Sequence, residues 1–137
     1  MKNKLLGIFA ATIIVVGGLF VIKLFLGTRP FQNISVSEIS KASVELLPPD
    51  VEIELEQDEI EELVGILHAV IIYQEDNSYN DYEGQAVVYT IKKEDGSQVT
   101  INAYYPFLVI DGKGYRTKYE PCEQLNSLGN QIRRSRG

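Results

Sequence analysis

A run of alternating apolar and polar residues over 85–119 restricts the fold of this chain more than any other feature. Asp95-Gly96 and Asp111-Gly112 interrupt the run, and such dipeptides favour the positive φ angles of tight hairpin turns. Between the turns, β-branched and aromatic side chains recur at every second position, as in half-buried strands: Val87, Tyr89 and Ile91; Val99, Ile101 and Ala103; Tyr115, Thr117 and Tyr119. The sequence therefore predicts an antiparallel meander with one apolar face to be covered.

Two amphipathic segments are the expected cover for that face. In the segment 58–67, Asp58 and Glu61 have the spacing of an N-cap and its capping box. The segment 121–132 opens at Pro121, which is accepted at the first position of a helix. Both carry an apolar stripe at helical spacing: Ile60, Leu63, Val64 and Leu67 in the first, and Cys122, Leu125, Leu128 and Ile132 in the second.

Three shorter strand signals precede the meander. They lie at 43–47, 51–56 and 69–73, and Pro48-Pro49 separates the first two. Runs of strands combined with a few helices are typical of the α+β class. We expect a two-layer α+β domain in which two helices cover a mostly antiparallel sheet of five to six strands.

The first 30 residues differ in character from the rest of the chain. The segment 5–22 has no charged residue, and a helix over 5–26 would be about 33 Å long, enough to cross a bilayer core. Lys2 and Lys4 precede it, which favours a cytoplasmic N-terminus. We expect residues 1–29 to form a cytoplasmic head and an uncleaved transmembrane signal anchor. Residues 30–137 would then be the extracytoplasmic domain of a single-pass protein of the cell membrane.

A cleaved signal peptide is the alternative to that anchor. Its apolar region usually has about 7–15 residues followed by a small-x-small cleavage site. Here the apolar run is longer, and Leu24-Phe25-Leu26-Gly27 provides no such site. The anchor is therefore the favoured interpretation.

The charge of the outer segment restricts its partners. Residues 30–137 contain 9 basic and 19 acidic residues, a formal net charge of −10. Nucleic-acid binding requires a basic surface, so we expect no nucleic-acid partner. Nine acidic residues and no basic one fall within 45–62. They are either a site for a cation or a basic partner, or an exposed strand face followed by a capped helix, and the alternation favours the second.

The residue types that carry common catalytic chemistry are scarce. His68 and Cys122 are the only histidine and cysteine, and neither His-Glu-x-x-His nor Gly-x-Ser-x-Gly occurs. Cys122 lies on an apolar stripe, where it is a small hydrophobe, or alternatively forms an intermolecular disulfide. We expect no catalytic residue, no metal ion and no cofactor, so the chain is not predicted to be an enzyme.

The polar segment 74–84 begins in the manner of a calcium-binding loop. Asp76, Ser78 and Asn80 alternate as the first ligands would. However, Asp81 stands where such a loop needs glycine, and Val87 stands where it needs glutamate. The segment therefore does not predict a calcium site.

Tyrosines supply the candidate binding residues. Tyr79 and Tyr82 lie in the polar segment, Gln85 follows it, and Tyr104 and Tyr105 end a predicted strand. A tyrosine combines a flat apolar ring with a hydrogen-bonding hydroxyl, which suits recognition surfaces and also the edges of sheets. These five residues are the predicted binding surface, and a purely structural cover of the sheet is the alternative.

Three strings carry a resemblance to known proteins: Asn77-Ser-Tyr79 followed by Tyr82-x-Gly84-Gln85, then Tyr105-Pro-Phe-Leu-Val-Ile110, and then Gly114-Tyr-x-Thr-Lys-Tyr-Glu-Pro-Cys-Glu123-x-Leu-Asn126. With them the chain resembles an uncharacterised extracytoplasmic domain of Gram-positive, mostly clostridial, bacteria. It is also similar to C-terminal segments of membrane proteins of the BlaR/MecR class. The resemblance implies a sensor-like or accessory domain on a single anchor and transfers no catalytic residue.

These observations together predict a membrane-anchored, extracytoplasmic binding module. Its membrane contact would be residues 5–26, and its ligand an envelope protein, a peptide or a glycan. One alternative is a small cell-envelope hydrolase that uses carboxylates, and another is a structural subunit of a membrane complex.

Overall fold

The computed structural model describes residues 26–81 and 83–137. Within them, seven strands form one antiparallel sheet in the order β2-β1-β4-β5-β6-β7-β3, together with two α-helices and two short 3-10 helices. The strands are β1 (Ile39–Leu47), β2 (Val51–Glu54), β3 (Ile72–Glu75), β4 (Ala86–Lys93), β5 (Gln98–Tyr104), β6 (Phe107–Ile110) and β7 (Lys113–Thr117). The helices are α1 (Gln57–Ala69) and α2 (Tyr119–Arg136), and the 3-10 helices span Val36–Glu38 and Ser78–Asp81. The predicted α+β class is confirmed.

The predicted anchor lies outside the described residues except for Leu26. Among the residues that are described, no helix combines the length and the apolar character needed to cross a membrane. The membrane anchor and the division at residue 30 therefore stay predictions.

The predicted meander is present as β4 to β7. Its register places Val87 opposite Ala103 and Tyr89 opposite Ile101. Asp111 and Gly112 both have positive φ angles, 49° and 85°, as a tight two-residue hairpin requires. The predicted last strand was wrong at one position, because Tyr119 begins α2 rather than extending β7.

The sheet has seven strands rather than five or six. All three short strand signals join it: β1 and β2 beyond β4, and β3 at the opposite edge beside β7. Their bounds differ from the prediction, since β1 already begins at Ile39, and α1 continues to Ala69 before β3 begins at Ile72.

The two helices lie side by side and antiparallel over one face of the sheet. Helix α1 connects β2 at one edge with β3 at the other, and α2 returns from β7 until Arg136 meets Glu59 in the first turn of α1. Both predicted stripes are buried in one core with the inner residues of β1, β4 and β5. Glycine at 129 brings α2 close to the sheet, because a Cβ there would lie 2.5 Å from Val87 Cγ1.

The start of α1 differs from the predicted capping box. Its N-cap is Glu56, whose backbone N–H donates to the Glu59 carboxylate at 2.8 Å, so the pair Asp58 and Glu61 was wrong. The two pairs have the same spacing. The position of Leu55 favours the earlier pair. Leu55 is buried and its N–H bonds to Ala42 O at 2.9 Å, so it still belongs to the sheet side of the chain, and the helix begins directly after it. Helix α2 also begins two residues before Pro121.

Candidate binding cleft

A cleft of about 420 Å³ opens on the face of the sheet opposite the helices. Asn102 and Tyr104 stand two positions apart on β5 and therefore point to the same face. Ala86 begins the neighbouring strand β4. The remaining wall comes from the segment before that strand, and the described lining residues are Tyr79, Asn80, Glu83, Gly84, Ala86, Asn102 and Tyr104.

Asp76 fastens the segment that carries Tyr79. Its carboxylate accepts hydrogen bonds from Ser78 N–H at 3.0 Å, from Ser78 Oγ at 2.6 Å and from Arg116 Nε at 2.8 Å. The Ser78 hydrogen bonds, followed by that of Arg116, lower the pKa of Asp76 to about 2. The residue that began the calcium-like pattern therefore holds the loop onto β7.

Tyr79 is fixed as one wall of the cleft. Its hydroxyl donates to Gly112 O at 3.0 Å, and its ring meets Phe107 edge to face with 6.4 Å between the centroids. Gly114 lies under it, since a Cβ there would be 2.7 Å from Tyr79 Cδ1. Because the hydroxyl is already engaged, Tyr79 offers the cleft its ring.

Two oxygen atoms in the cleft are buried without a hydrogen-bond partner among the described residues: Asn102 Oδ1 and the Tyr104 hydroxyl. Gly84 packs on that hydroxyl, and a Cβ at this position would lie 3.2 Å from it. Folded proteins pair nearly all such groups, and an unpaired one costs about 1–3 kcal/mol.

Of the four predicted binding residues that the structure describes, Tyr79 and Tyr104 line this cleft. Tyr82 lies outside the described residues. Gln85 joins distant elements instead, because it donates to Pro48 O at 2.8 Å and accepts from Asn130 Nδ2 at 3.0 Å.

Tyr105 lies at the turn between β5 and β6. It is half exposed and packs edge to face on Tyr119, with 4.9 Å between the ring centroids. Asn102 and Glu83 are not among the predicted binding residues, although Asn102 stands two residues from Tyr104 on the polar face of its strand.

A second groove, of about 300 Å³, lies where the end of α2 meets the start of α1. It contains part of the acidic stretch 45–62. Arg136 pairs there with Glu59, through Nη1 to Oε2 at 3.0 Å, and lies 3.8 Å from Glu56. The described residues contain no group of three or more His, Cys, Asp or Glu side chains placed to hold a metal ion. Arg136 is the one basic residue of the described lining, and it pairs with two of the four carboxylates there, Glu59 and Glu56.

Cys122 and His68 both take part in packing. The Cys122 thiol is buried, lies 3.6 Å from Phe107 O, and has its pKa raised to about 12 by burial. His68 lies in the last turn of α1, and its Nε2 lies 2.6 Å from Ile34 O, which ties the segment before β1 to the helix.

Comparison with protein-family models, with curated proteins and with solved structures finds no match to this chain. The resemblance to outer domains of the BlaR/MecR class therefore stays a prediction, and the function is argued from the cleft alone.

Proposed function

We propose that this chain is a ligand-binding module and that the cleft between Tyr79 and Tyr104 is its recognition site. One observation carries the proposal: Asn102 and Tyr104 line one cleft, and each has a buried oxygen, Asn102 Oδ1 and the Tyr104 hydroxyl, without a partner in the described part of the chain. A buried polar atom that makes no hydrogen bond lowers the stability of the fold. A ligand that bonds to both oxygens removes that penalty on binding.

The walls of the cleft suit such a ligand. Tyr79 is held by its hydroxyl and by Phe107, so its ring is set before a ligand arrives, which reduces the entropy lost on binding. At Gly84, the lack of a side chain lets the backbone lie against the Tyr104 hydroxyl. A ligand reaches this oxygen when the Gly84 backbone shifts.

The predicted location outside the cytoplasm belongs to the same proposal. Directly after the apolar run, Thr28 exchanges two backbone hydrogen bonds with Ile72 on the edge strand β3, at 2.8 and 2.9 Å. Gly27 is close to the same strand, with a positive φ of 78°. An anchor at 5–26 would thus hold the domain without a free linker, and a ligand in the cell envelope is the expected one.

The alternative of a carboxylate hydrolase has no support in this cleft. Such an enzyme uses two carboxyl groups that flank the scissile bond. Glu83 is the only carboxylate in the described lining.

The test compares two substitutions in the cleft with one outside it. Tyr104→Phe and Asn102→Leu each remove an unpaired polar group, and Thr100→Val is the control on the same face of β5. The full-length protein, labelled with ¹⁵N, would be titrated with a library of small fragments, and the amide shifts of residues 80, 84 and 102 followed. We expect fragments that bind at these amides in the wild type and in Thr100→Val, but bind at least about tenfold more weakly in the two cleft variants, as the loss of a hydrogen bond predicts. Equal binding by all four proteins, or no binding at these amides, would refute the assignment.

A further inference from the structure

We infer that the ligand of this cleft presents a positively charged amino group. The inference rests on the proposed function and makes it more specific. The cleft combines unpaired hydrogen-bond acceptors, aromatic rings and one free carboxylate, and none of its described lining residues is Lys, Arg or His.

The cleft offers both donors and acceptors, because the Asn80 and Asn102 amides each carry an NH2 group and an oxygen. Asn102 Oδ1 only accepts, and the Glu83 carboxylate accepts at the rim. The Tyr104 hydroxyl can accept as well as donate, whereas the Tyr79 hydroxyl is already used as a donor to Gly112 O. The groups without a partner, Asn102 Oδ1 and the Tyr104 hydroxyl, and the Glu83 carboxylate can all accept from a donating ligand. An alkylammonium group has three donors and no acceptor, so its hydrogen-bonding capacity complements this set.

The aromatic rings favour the same ligand. Tyr79 and Tyr104 both line the cleft, and Tyr79 is restrained by contacts on its far side. A cation over the face of a tyrosine ring is attracted by the ring quadrupole, more strongly where water is excluded. A carboxylate or phosphate would meet the same rings without this attraction.

The charges around the cleft are also unequal. Glu83 is exposed and forms no ion pair with any described residue. Glu45 lies on the same face of the sheet. It is paired with Val88, and Val88 is paired on its other side with Asn102. The backbones of Glu45 and Asn102 are therefore two strands, or about 10 Å, apart.

The cations nearby do not balance these carboxylates. Arg116 is bonded to Asp76, and Lys113 is paired with Glu75 at 3.7 Å. Lys92 stands six positions from Ala86 on β4, about 20 Å along the strand. Glu83 is thus the one charged group of the described lining, and it attracts an ammonium group and repels an anionic ligand.

Three probes of equal chain length separate charge from shape: 1,5-diaminopentane, 1,5-pentanediol and glutarate. Each would be titrated into the ¹⁵N-labelled full-length protein in a non-ionic detergent, with the amides of residues 80, 84 and 102 as reporters. We expect the diamine to bind about fivefold or more tightly than the diol, and glutarate not to bind. The affinity for the diamine should also fall as salt is raised from about 20 to about 300 mM, because screening lengths shorten over that range.

A matched pair of substitutions completes the test. Glu83→Gln should weaken binding of the diamine about two- to fivefold, as expected for an exposed ion pair, and leave the diol unchanged. Glu94→Gln, in the turn at the far end of β4, is the control and should change neither. If the diol binds as tightly as the diamine, or Glu83→Gln has no effect on the diamine, the charge inference is wrong and the cleft remains a binding site. If no probe shifts the cleft amides, both the inference and the proposed function fail.

Discussion

Arg136, the last residue of α2, donates through Nη1 to the Glu59 carboxylate in the first turn of α1, at 3.0 Å. Glu59 also accepts the N–H of Glu56 at 2.8 Å, so one carboxylate both caps α1 and binds the end of the neighbouring helix. A carboxylate suits the N-terminus of a helix dipole, and a guanidinium suits the C-terminus. The antiparallel arrangement of the helices thus joins two ends whose charges are complementary.

This pair gives the domain a stability that depends on acid pH. Burial by itself raises the pKa of Glu59, but the hydrogen bonds from Arg136 and Glu56 outweigh it and leave the pKa below the ordinary value of 4.5. A carboxylate whose folded-state pKa is lowered contributes stability that is complete above the unfolded-state pKa and is lost as the pH falls through the folded-state pKa.

We therefore expect Arg136→Gln to lower the urea midpoint at pH 7, and the difference from the wild type to shrink as the pH falls below about 4.5. Urea unfolding between neutral and acid pH measures it. Arg134→Gln, at an exposed position with no ion pair to the described residues, is the control and should stay close to the wild type throughout. A constant difference for Arg136→Gln at every pH would show that packing, and not the ion pair, is responsible.

Removing the hydroxyl from two tyrosines of the sheet should change the free energy of unfolding in opposite directions. Tyr89 is fully buried and donates from its hydroxyl to Leu125 O, whereas the Tyr104 hydroxyl has no partner in the described residues. We expect Tyr89→Phe to lower the free energy of unfolding by about 1–2 kcal/mol, and Tyr104→Phe to raise it by about 1 kcal/mol, because removing an unpaired buried group relieves a desolvation penalty. Chemical denaturation of both variants checks this. A loss of stability in Tyr104→Phe would mean that its hydroxyl has a structural role.

Much of the fold could be predicted from the sequence because alternation and turn chemistry act locally. The meander was placed by its period-two pattern and by Asp111-Gly112, whose positive φ angles are a property of those residues. The start of α1 was misplaced because Glu56 with Glu59 and Asp58 with Glu61 have the same spacing. The choice between them depends on the burial of Leu55, which is a tertiary effect.

The cleft was less accessible to prediction. Tyr79 and Tyr104 were selected for their chemistry, but Gln85 bonds to Pro48 and Asn130, contacts that only the assembled sheet brings together. Asn102 could not be predicted as a binding residue, because what marks it is a buried oxygen without a hydrogen-bond partner, and a sequence shows neither burial nor pairing.

The loop that carries Tyr79 should remain attached to β7 until the pH falls to about 2. Because its bonds to Ser78 and Arg116 lower the pKa of Asp76 to about 2, below the ordinary value of 3.8, the attachment is complete above about pH 4 and is lost as the pH falls through about 2. An NMR titration of the Gly114 amide, which donates to Asn77 Oδ1 at 2.8 Å, reports the change.

The two partners of Asp76 should differ in effect. Ser78→Ala removes the hydroxyl bond and keeps that of the Ser78 N–H, and it is expected to raise the titration midpoint more than Arg116→Gln, because the hydroxyl bond is the largest single cause of the shift. If Arg116→Gln alone returned the midpoint to the ordinary value, the arginine rather than the serine would hold the loop.

Two helical glycines give the last prediction. Gly65 is exposed on α1 with no atom within 4 Å of an added Cβ, whereas a Cβ at Gly129 on α2 would lie 2.5 Å from Val87 Cγ1 and 3.3 Å from the Tyr89 hydroxyl. Alanine favours a helix over glycine by about 1 kcal/mol, so Gly65→Ala should stabilise the domain by about 0.5–1 kcal/mol. At position 129 the same gain is outweighed by overpacking, which costs about 1–3 kcal/mol, so Gly129→Ala should destabilise it. Thermal and urea unfolding of the pair measure both signs, and a stabilised Gly129→Ala would mean that α2 can move away from the sheet at no cost.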